Sequence, residues 1–213
     1  MILPEAIPVP AALWYDAVVS GRVLSEQYKR IASTIDLTSG FVLDLGTGPG
    51  DLAIEIASRN PRLEVLGIDV SAAMISLARR KANQLPNVRF RVMNAARLLL
   101  ADSCVDLVVS TGSMHHWRKP GLVFDEIYRV LKPGGRALLY DIRSDAARQE
   151  ILAELPRYVS FPPKLAIVLA FRLHGFTRKS LRSRILPIIR LRPFAEARVE
   201  TVGIWVRLCL SKK

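Results

Sequence analysis

Residues 42–50 read Val42-Leu43-Asp44-Leu45-Gly46-Thr47-Gly48-Pro49-Gly50, an apolar run carrying one acid and closing on three alternating glycines. A short apolar run of this kind is a buried strand. Glycine, having no Cβ, permits a sharp turn and lets a ligand come close to the backbone. A helical pattern follows as far as Ser58, so the stretch is a strand, a turn and a helix. A nicotinamide fingerprint needs glycine at the first, third and sixth positions, and the sixth position counted from Gly46 is Asp51. That class of cofactor loop is excluded.

Working outward, Leu63 to Asp69 is a second strand, ending 19 residues beyond Gly50. Ser71 stands where an N-cap belongs, before a helix through Gln84 whose Met74, Leu77 and Ala78 follow the helical period. Asn87 to Met93 and Val105 to Ser110 are the third and fourth strands. Leu122 to Leu131 is a helix stopped by Lys132-Pro133-Gly134-Gly135, and Arg136 to Tyr140 is a fifth strand. Five such alternations predict a mostly parallel sheet with helices on both faces. Ligands of such sheets bind beyond the C-terminal strand ends, where strand order reverses, so the residues just after each strand carry the functional information. Upstream, helices are expected over Pro10–Ser20 and Val23–Ile35. Downstream, Asp145–Leu155 and the apolar Pro162–Leu173 read as helices, and Arg178–Leu186 as a basic amphipathic helix broken at Pro187. Phe194–Val202 and Ile204–Leu210 alternate around Gly203 as a closing antiparallel hairpin.

The chain has 213 residues, half of them hydrophobic, enough for one well-buried domain. No uncharged apolar stretch reaches the 18 residues of a membrane span, and the opening residues, with Glu5, Pro4, Pro8 and Pro10, do not read as a signal peptide. A cytoplasmic protein is expected. Two cysteines, Cys104 and Cys209, make neither a disulfide framework nor a metal site, and no metal is expected. The net charge of +12 is uneven: residues 143–213 hold 15 Lys/Arg against 5 Asp/Glu, while the first 142 residues are nearly balanced. A basic region of this kind suits nucleic acid, an anionic membrane surface or an acidic substrate, and equally a solvated face.

The spacing Asp-x-Gly-x-Gly-x-Gly from Asp44 to Gly50 resembles the first motif of class I S-adenosylmethionine-dependent methyltransferases, with all four fixed positions kept. The fourth-strand end Ser110-Thr111-Gly112-Ser113-Met114-His115-His116-Trp117, followed by Arg129-Val130-Leu131-Lys132-Pro133-Gly134-Gly135, resembles the subgroup acting on quinone precursors, lipids and other small molecules. The likeness covers about residues 41–142. It implies an α/β, three-layer Rossmann-like fold: a mostly parallel seven-stranded sheet with an antiparallel C-terminal hairpin. It divides the single domain into an N-terminal helical lid (1–40), a cofactor core (41–142), a helical acceptor-site insertion (143–192) and a closing hairpin (193–213).

The resemblance implies S-adenosylmethionine as cofactor and S-adenosylhomocysteine as product. Gly46, Thr47, Gly48 and Gly50 would cradle its methionine portion, with Asp44 orienting the amino group. Asp69 would accept hydrogen bonds from the ribose hydroxyls, flanked by Val70 and by Met74 on the adenine. Asn94, where the family usually has an acid, and Ala95 would meet the adenine edge. Ser110, Thr111 and His115 would lie against the cofactor, and Tyr15, in a lid with Trp14, Asp16 and Arg22, would bond its carboxylate.

Methyl transfer mainly requires alignment of nucleophile, methyl and sulfur with water excluded, and a general base only for a hydroxyl or acidic-carbon acceptor. His116 and His115 are the candidate bases, each equally readable as a packing residue. The apolar 162–171 segment followed by Arg172, Arg178, Lys179, Arg182 and Arg184 suits an apolar or amphiphilic acceptor with an anionic group, or peripheral contact with an anionic membrane. The reading is therefore methyl transfer to a small organic or lipid-like acceptor. RNA methylation, favoured by charge but lacking an Asp-Pro-Pro-Tyr-like strand-four motif, and a non-catalytic cofactor-binding regulator are the alternatives.

Overall fold

The computed structural model describes residues 24–155, 168–169, 171–172 and 175–213. Helix α1 (Ser25–Ser33) leads into β1 (Gly40–Leu45), α2 (Asp51–Arg59), β2 (Leu63–Asp69), α3 (Ala72–Lys81), β3 (Val88–Val92) and β4 (Val105–Thr111). A 3-10 turn (Met114–His116), α4 (Pro120–Val130), β5 (Leu131–Ile142) and α5 (Arg148–Glu154) follow. Helical segments α6 (Arg178–Ser180) and α7 (Leu186–Arg190) flank a π-helical turn (Leu181–Ile185), and β6 (Glu196–Val202) and β7 (Trp205–Ser211) close the chain.

The strands form one seven-stranded sheet in the order β3-β2-β1-β4-β5-β7-β6. β1 to β5 are mutually parallel, and β7 runs antiparallel to both of its neighbours. Strand order reverses between β1 and β4, as expected for a doubly wound sheet. Side chains alternate across the pleat and divide the core in two. Val42, Val65, Leu107 and Val109 face a layer made by α1, α2, α3 and α5, where Tyr28, Leu52, Ile56, Ile75 and Ile151 are buried. Leu43, Leu45, Leu66, Ile68, Val108 and Leu139 face the other layer, built on α4 and the 178–190 region through Phe124, Ile127, Leu181 and Ile189. Each such buried side chain contributes on the order of 1.5–3 kcal/mol, so the two layers hold the strand ends as a rigid platform.

Local chemistry sets the element boundaries. The Ser71 hydroxyl accepts from Met74 N and starts α3. Gly50, at φ +86°, is the N-cap of α2, and a Cβ there would lie 2.8 Å from Ala78 and Phe90, so only glycine fits. The hairpin turns through Gly203-Ile204, with φ +56° at Gly203 and Val202 paired to Trp205.

Three expectations need correction. Lys132-Pro133-Gly134-Gly135 does stop α4, but those residues belong to a 12-residue β5 whose register against β4 shifts between Val105 and Leu107. Such an irregularity is where a strand tolerates proline and glycine. The helix expected over 145–155 starts later, at Arg148, with the Glu150 carboxylate accepting from Ala147 N at 2.7 Å. Pro187 does not break its helix. It sits in the first turn of α7, where its missing N–H costs nothing, after the wide π-helical turn. The expected Pro10–Ser20 helix and most of Pro162–Leu173 lie outside the described residues.

Candidate active site

β1 and β4 are parallel neighbours across the reversal point, so the loops that follow them leave the same sheet edge. Each loop carries a glycine with open space in front of it: Gly48 (φ +53°) and Gly112 (φ +60°) would place a Cβ with nothing within 4 Å. The edge at this point is where a doubly wound sheet takes its ligand.

Asp44 is 1% exposed at the end of β1. Its Oδ2 accepts from Thr47 Oγ1 at 2.6 Å, and Thr47 is itself fixed by its N–H on Ile68 O at 2.9 Å. Its Oδ1 has no hydrogen-bond partner among the described residues. Burial pushes the carboxyl up to about 7, against the Thr47 hydrogen bond that lowers it and with Asp69 adding to the rise. A buried carboxylate oxygen without a donor is costly unless a ligand supplies one. Asp69, at the end of β2, is also raised, mainly by burial. Its Oδ2 accepts from Gly48 N at 3.0 Å and its Oδ1 from Ser71 N at 2.8 Å, so one carboxylate ties the glycine loop to the start of α3.

The other expected residues fall at the same strand ends in different roles. Val70 is half-buried beside Asp69, whereas Met74 is 2% exposed and packs with Leu77. Asn94 is exposed and turns its Oδ1 to Ala96 N at 2.8 Å, a local turn that places Ala95 against the core. Ser110 is fully buried; its hydroxyl donates to Leu45 O at 2.8 Å and lies 2.6 Å from Ser113 Oγ, pinning the β4 loop to the root of the glycine loop. Thr111 is half-buried at the end of β4. Tyr15, with Trp14, Asp16 and Arg22, lies outside the described residues.

His115 and His116 occupy the 3-10 turn after β4, their ring centroids 3.9 Å apart at 42°. His115 reaches across to β5, where its Nδ1 lies 2.7 Å from Asp141 Oδ1 and its N–H donates to Asp141 Oδ2 at 2.9 Å. Asp141 is fully buried and also accepts from Ile142 N at 2.7 Å. Sequence reasoning missed Asp141 and Ser113. The signal for Asp141 was present: one acid at the C-terminal end of an otherwise apolar strand, Ala137-Leu138-Leu139-Tyr140-Asp141.

An alternating-glycine turn after a buried carboxylate with one oxygen left without a donor, and a second acid at the next strand end, fit a cofactor that brings an ammonium group and a ribose. A family model described as a methyltransferase domain matches residues 42–135. Over that stretch, which is under half of its length, the chain resembles a methyltransferase domain. It is 34% identical over 149 residues to a demethylmenaquinone methyltransferase of Thermus thermophilus, covering 70% of this chain and 57% of that one. It is 38% identical over 104 residues to an arsenite methyltransferase of Halobacterium salinarum, covering 47% and 27%. The chain thus spans less than two thirds of these methyltransferases. Among solved structures, a S-adenosylmethionine-dependent methyltransferase of Methanococcus maripaludis superposes with a TM-score of 0.77 over 96% of this chain and 93% of that one. At 22% identity that likeness speaks for the fold.

Among the described residues no cluster could hold a metal ion, and no helix is long and apolar enough to cross a membrane.

Proposed function

We propose that the protein transfers a methyl group from S-adenosylmethionine to a small organic or lipid-like acceptor. The observation that carries this reading is Asp44: a fully buried carboxylate at the root of the glycine loop, with one oxygen held by Thr47 and the other without a donor among the described residues. When bound, S-adenosylmethionine supplies a methyl group activated by a sulfonium. The chain's own residues bind, orient and exclude water. Asp44 Oδ1 takes the cofactor's ammonium, a charge-assisted hydrogen bond in a water-poor site. Asp69, already fixed by Gly48 N and Ser71 N, keeps lone pairs for ribose hydroxyls. The β4 and β5 loops, on the far side of the reversal point, are left for the acceptor.

A relative named for demethylmenaquinone favours an amphiphilic acceptor. The surface supports the same choice. The 178–190 region buries Leu181, Ile185 and Ile189 while exposing Arg182, Arg184 and Arg190, and Leu191 beside them is 85% exposed. Cations beside an exposed leucine suit peripheral contact with an anionic bilayer. We place the protein in the cytoplasm, where its two free cysteines stay reduced.

The testing experiment is transfer of radiolabel from S-adenosylmethionine into cell extract fractions, comparing wild type with Gly48→Arg. Labelled small-molecule or lipid product from wild type alone is expected. Label in RNA, or in no fraction while cofactor binding persists, would overturn the acceptor class or the catalytic reading respectively.

A further inference from the structure

We propose that β6 is the docking edge for a second copy of this chain. Two copies pair their β6 strands antiparallel about a two-fold axis at Val199, joining their sheets into one. The inference concerns assembly and stands apart from the methyl-transfer reading.

Among the described residues, β6 closes one side of the sheet and β3 the other. An edge strand keeps a row of N–H and C=O groups that no neighbouring strand pairs. In β6 the hairpin decides which residues carry them. Val202 and Trp205 flank a two-residue turn, so they exchange hydrogen bonds. The alternation of an antiparallel ladder then turns the backbone groups of Glu196, Arg198, Glu200 and Val202 toward β7, and those of Ala197, Val199 and Thr201 outward. The strand is seven residues long, has no proline and is held by β7 along its whole length. Such an edge is a template for another strand.

Charge selects the occupant. A two-fold axis at Val199 sets Arg198 opposite the partner's Glu200, and Glu200 opposite the partner's Arg198. Both residues point inward along the ladder, and such non-hydrogen-bonded positions bring facing side chains closest. Their side chains are 61% and 26% exposed, with Arg198 Nε 2.9 Å from Glu200 Oε1 within one copy. Across the axis the same residues form two further pairs of opposite charge. Glu196 near Arg198, and Arg207 on Glu200, keep the face balanced, so it does not repel its own copy. On the other face, Val199 packs on the core layer of α4 and α7 and meets its own mate, extending that layer across the axis. The same operation fails at β3. An axis at Phe90 sets Arg89 against the partner's Arg91, and the Phe90 carbonyl already accepts from Arg79 at 2.8 and 3.2 Å. Like charges directly opposite are destabilising, so β3 is guarded where β6 is open. The contact is one strand wide, at the small end of specific interfaces, so concentration governs the dimer.

The test is sedimentation equilibrium of the wild-type chain and three variants. Wild type should show a reversible monomer–dimer equilibrium at concentrations up to about 1 mM. Val199→Pro removes an outward N–H that makes no bond to β7, a position where an edge strand accepts proline, and should abolish the dimer. Arg198→Glu and Glu200→Lys should each weaken it more than about tenfold, because each sets like charges opposite one another. Mixed in equal amounts, these two variants should dimerise again, since each supplies the charge that the other lacks. A cooperative circular dichroism melt of each variant separates loss of the dimer from loss of the fold. Wild type that stays monomeric over the whole range, or a dimer that all three changes leave intact, would overturn the proposal. So would a mixture no more associated than its separate components.

Discussion

Asp44 and Asp141 are both buried carboxylates at the ends of parallel strands, and they differ in what they lack. Asp141 is saturated, with two backbone N–H donors and an imidazole, all from the chain itself. Asp44 has one hydroxyl and one oxygen without a partner, and burial pushes its carboxyl up to about 7. A saturated buried acid positions its neighbours. An unsaturated one carries a cost that a donor from a ligand removes. By the function proposed above, the edge has two halves, one on β1 and β2 for the cofactor and one on β4 and β5 for the acceptor.

The harshest way to break this division is to fill the cofactor half. Gly48→Arg puts a long side chain into the open space at φ +53°, a conformation that costs a non-glycine residue about 1–2 kcal/mol. Calorimetry should show S-adenosylhomocysteine affinity reduced more than about 100-fold, well beyond what that strain explains, while a circular dichroism melt still reports a cooperative fold. Retained affinity would move the cofactor elsewhere.

Asp69→Ala should weaken the same ligand by about 1.5–3 kcal/mol, the worth of hydrogen bonds to a charged group. Unchanged affinity would take the ribose away from the end of β2.

How much of this was legible is decided by the range of the interactions. The glycine loop, Asp69 after β2, the Ser71 cap and the β4 histidines could be read because each is a local pattern: a turn needing glycine, an acid at a strand end, a cap one residue before its helix. Asp141 was not, because its meaning comes from a partner 26 residues away that only the β4–β5 pairing supplies. The same holds for Ser110, whose hydroxyl is spent on Leu45 O, 65 residues off, rather than left at the loop surface. Pro187 misled for the opposite reason. A local rule applies to helix interiors, and the π-helical turn before it had made a new helix start.

The raised Asp44 carboxyl sharpens the comparison through pH. Its folded value, about 7, lies above the roughly 3.9 of an unfolded aspartate, so the native state holds the extra proton between those values. That contribution favours the ligand-free fold at low pH and is lost as pH rises through the window. A bound ammonium favours the carboxylate and expels the proton. S-adenosylhomocysteine affinity should therefore rise from about pH 5 to about pH 7, by up to about tenfold per unit, with close to one proton released per ligand at pH 6. Titration at pH 6 in two buffers of different ionisation enthalpy checks this, and Asp44→Asn should abolish the difference between the buffers.

The smallest effect belongs to the basic surface. Wild type should be retained by phosphatidylglycerol-containing vesicles at low salt and released as salt rises. The triple change Arg182→Glu, Arg184→Glu, Arg190→Glu should abolish retention without altering cofactor affinity. No retention of wild type even at low salt would leave these arginines as a solvated face.

The most direct test of the central claim is calorimetric titration of the wild-type protein with S-adenosylhomocysteine and, separately, with NAD. The account predicts one equivalent of S-adenosylhomocysteine bound at the micromolar level and no heat from NAD, because Asp51 stands where a nicotinamide loop needs its third glycine. Binding of NAD, or no binding of S-adenosylhomocysteine, would contradict it.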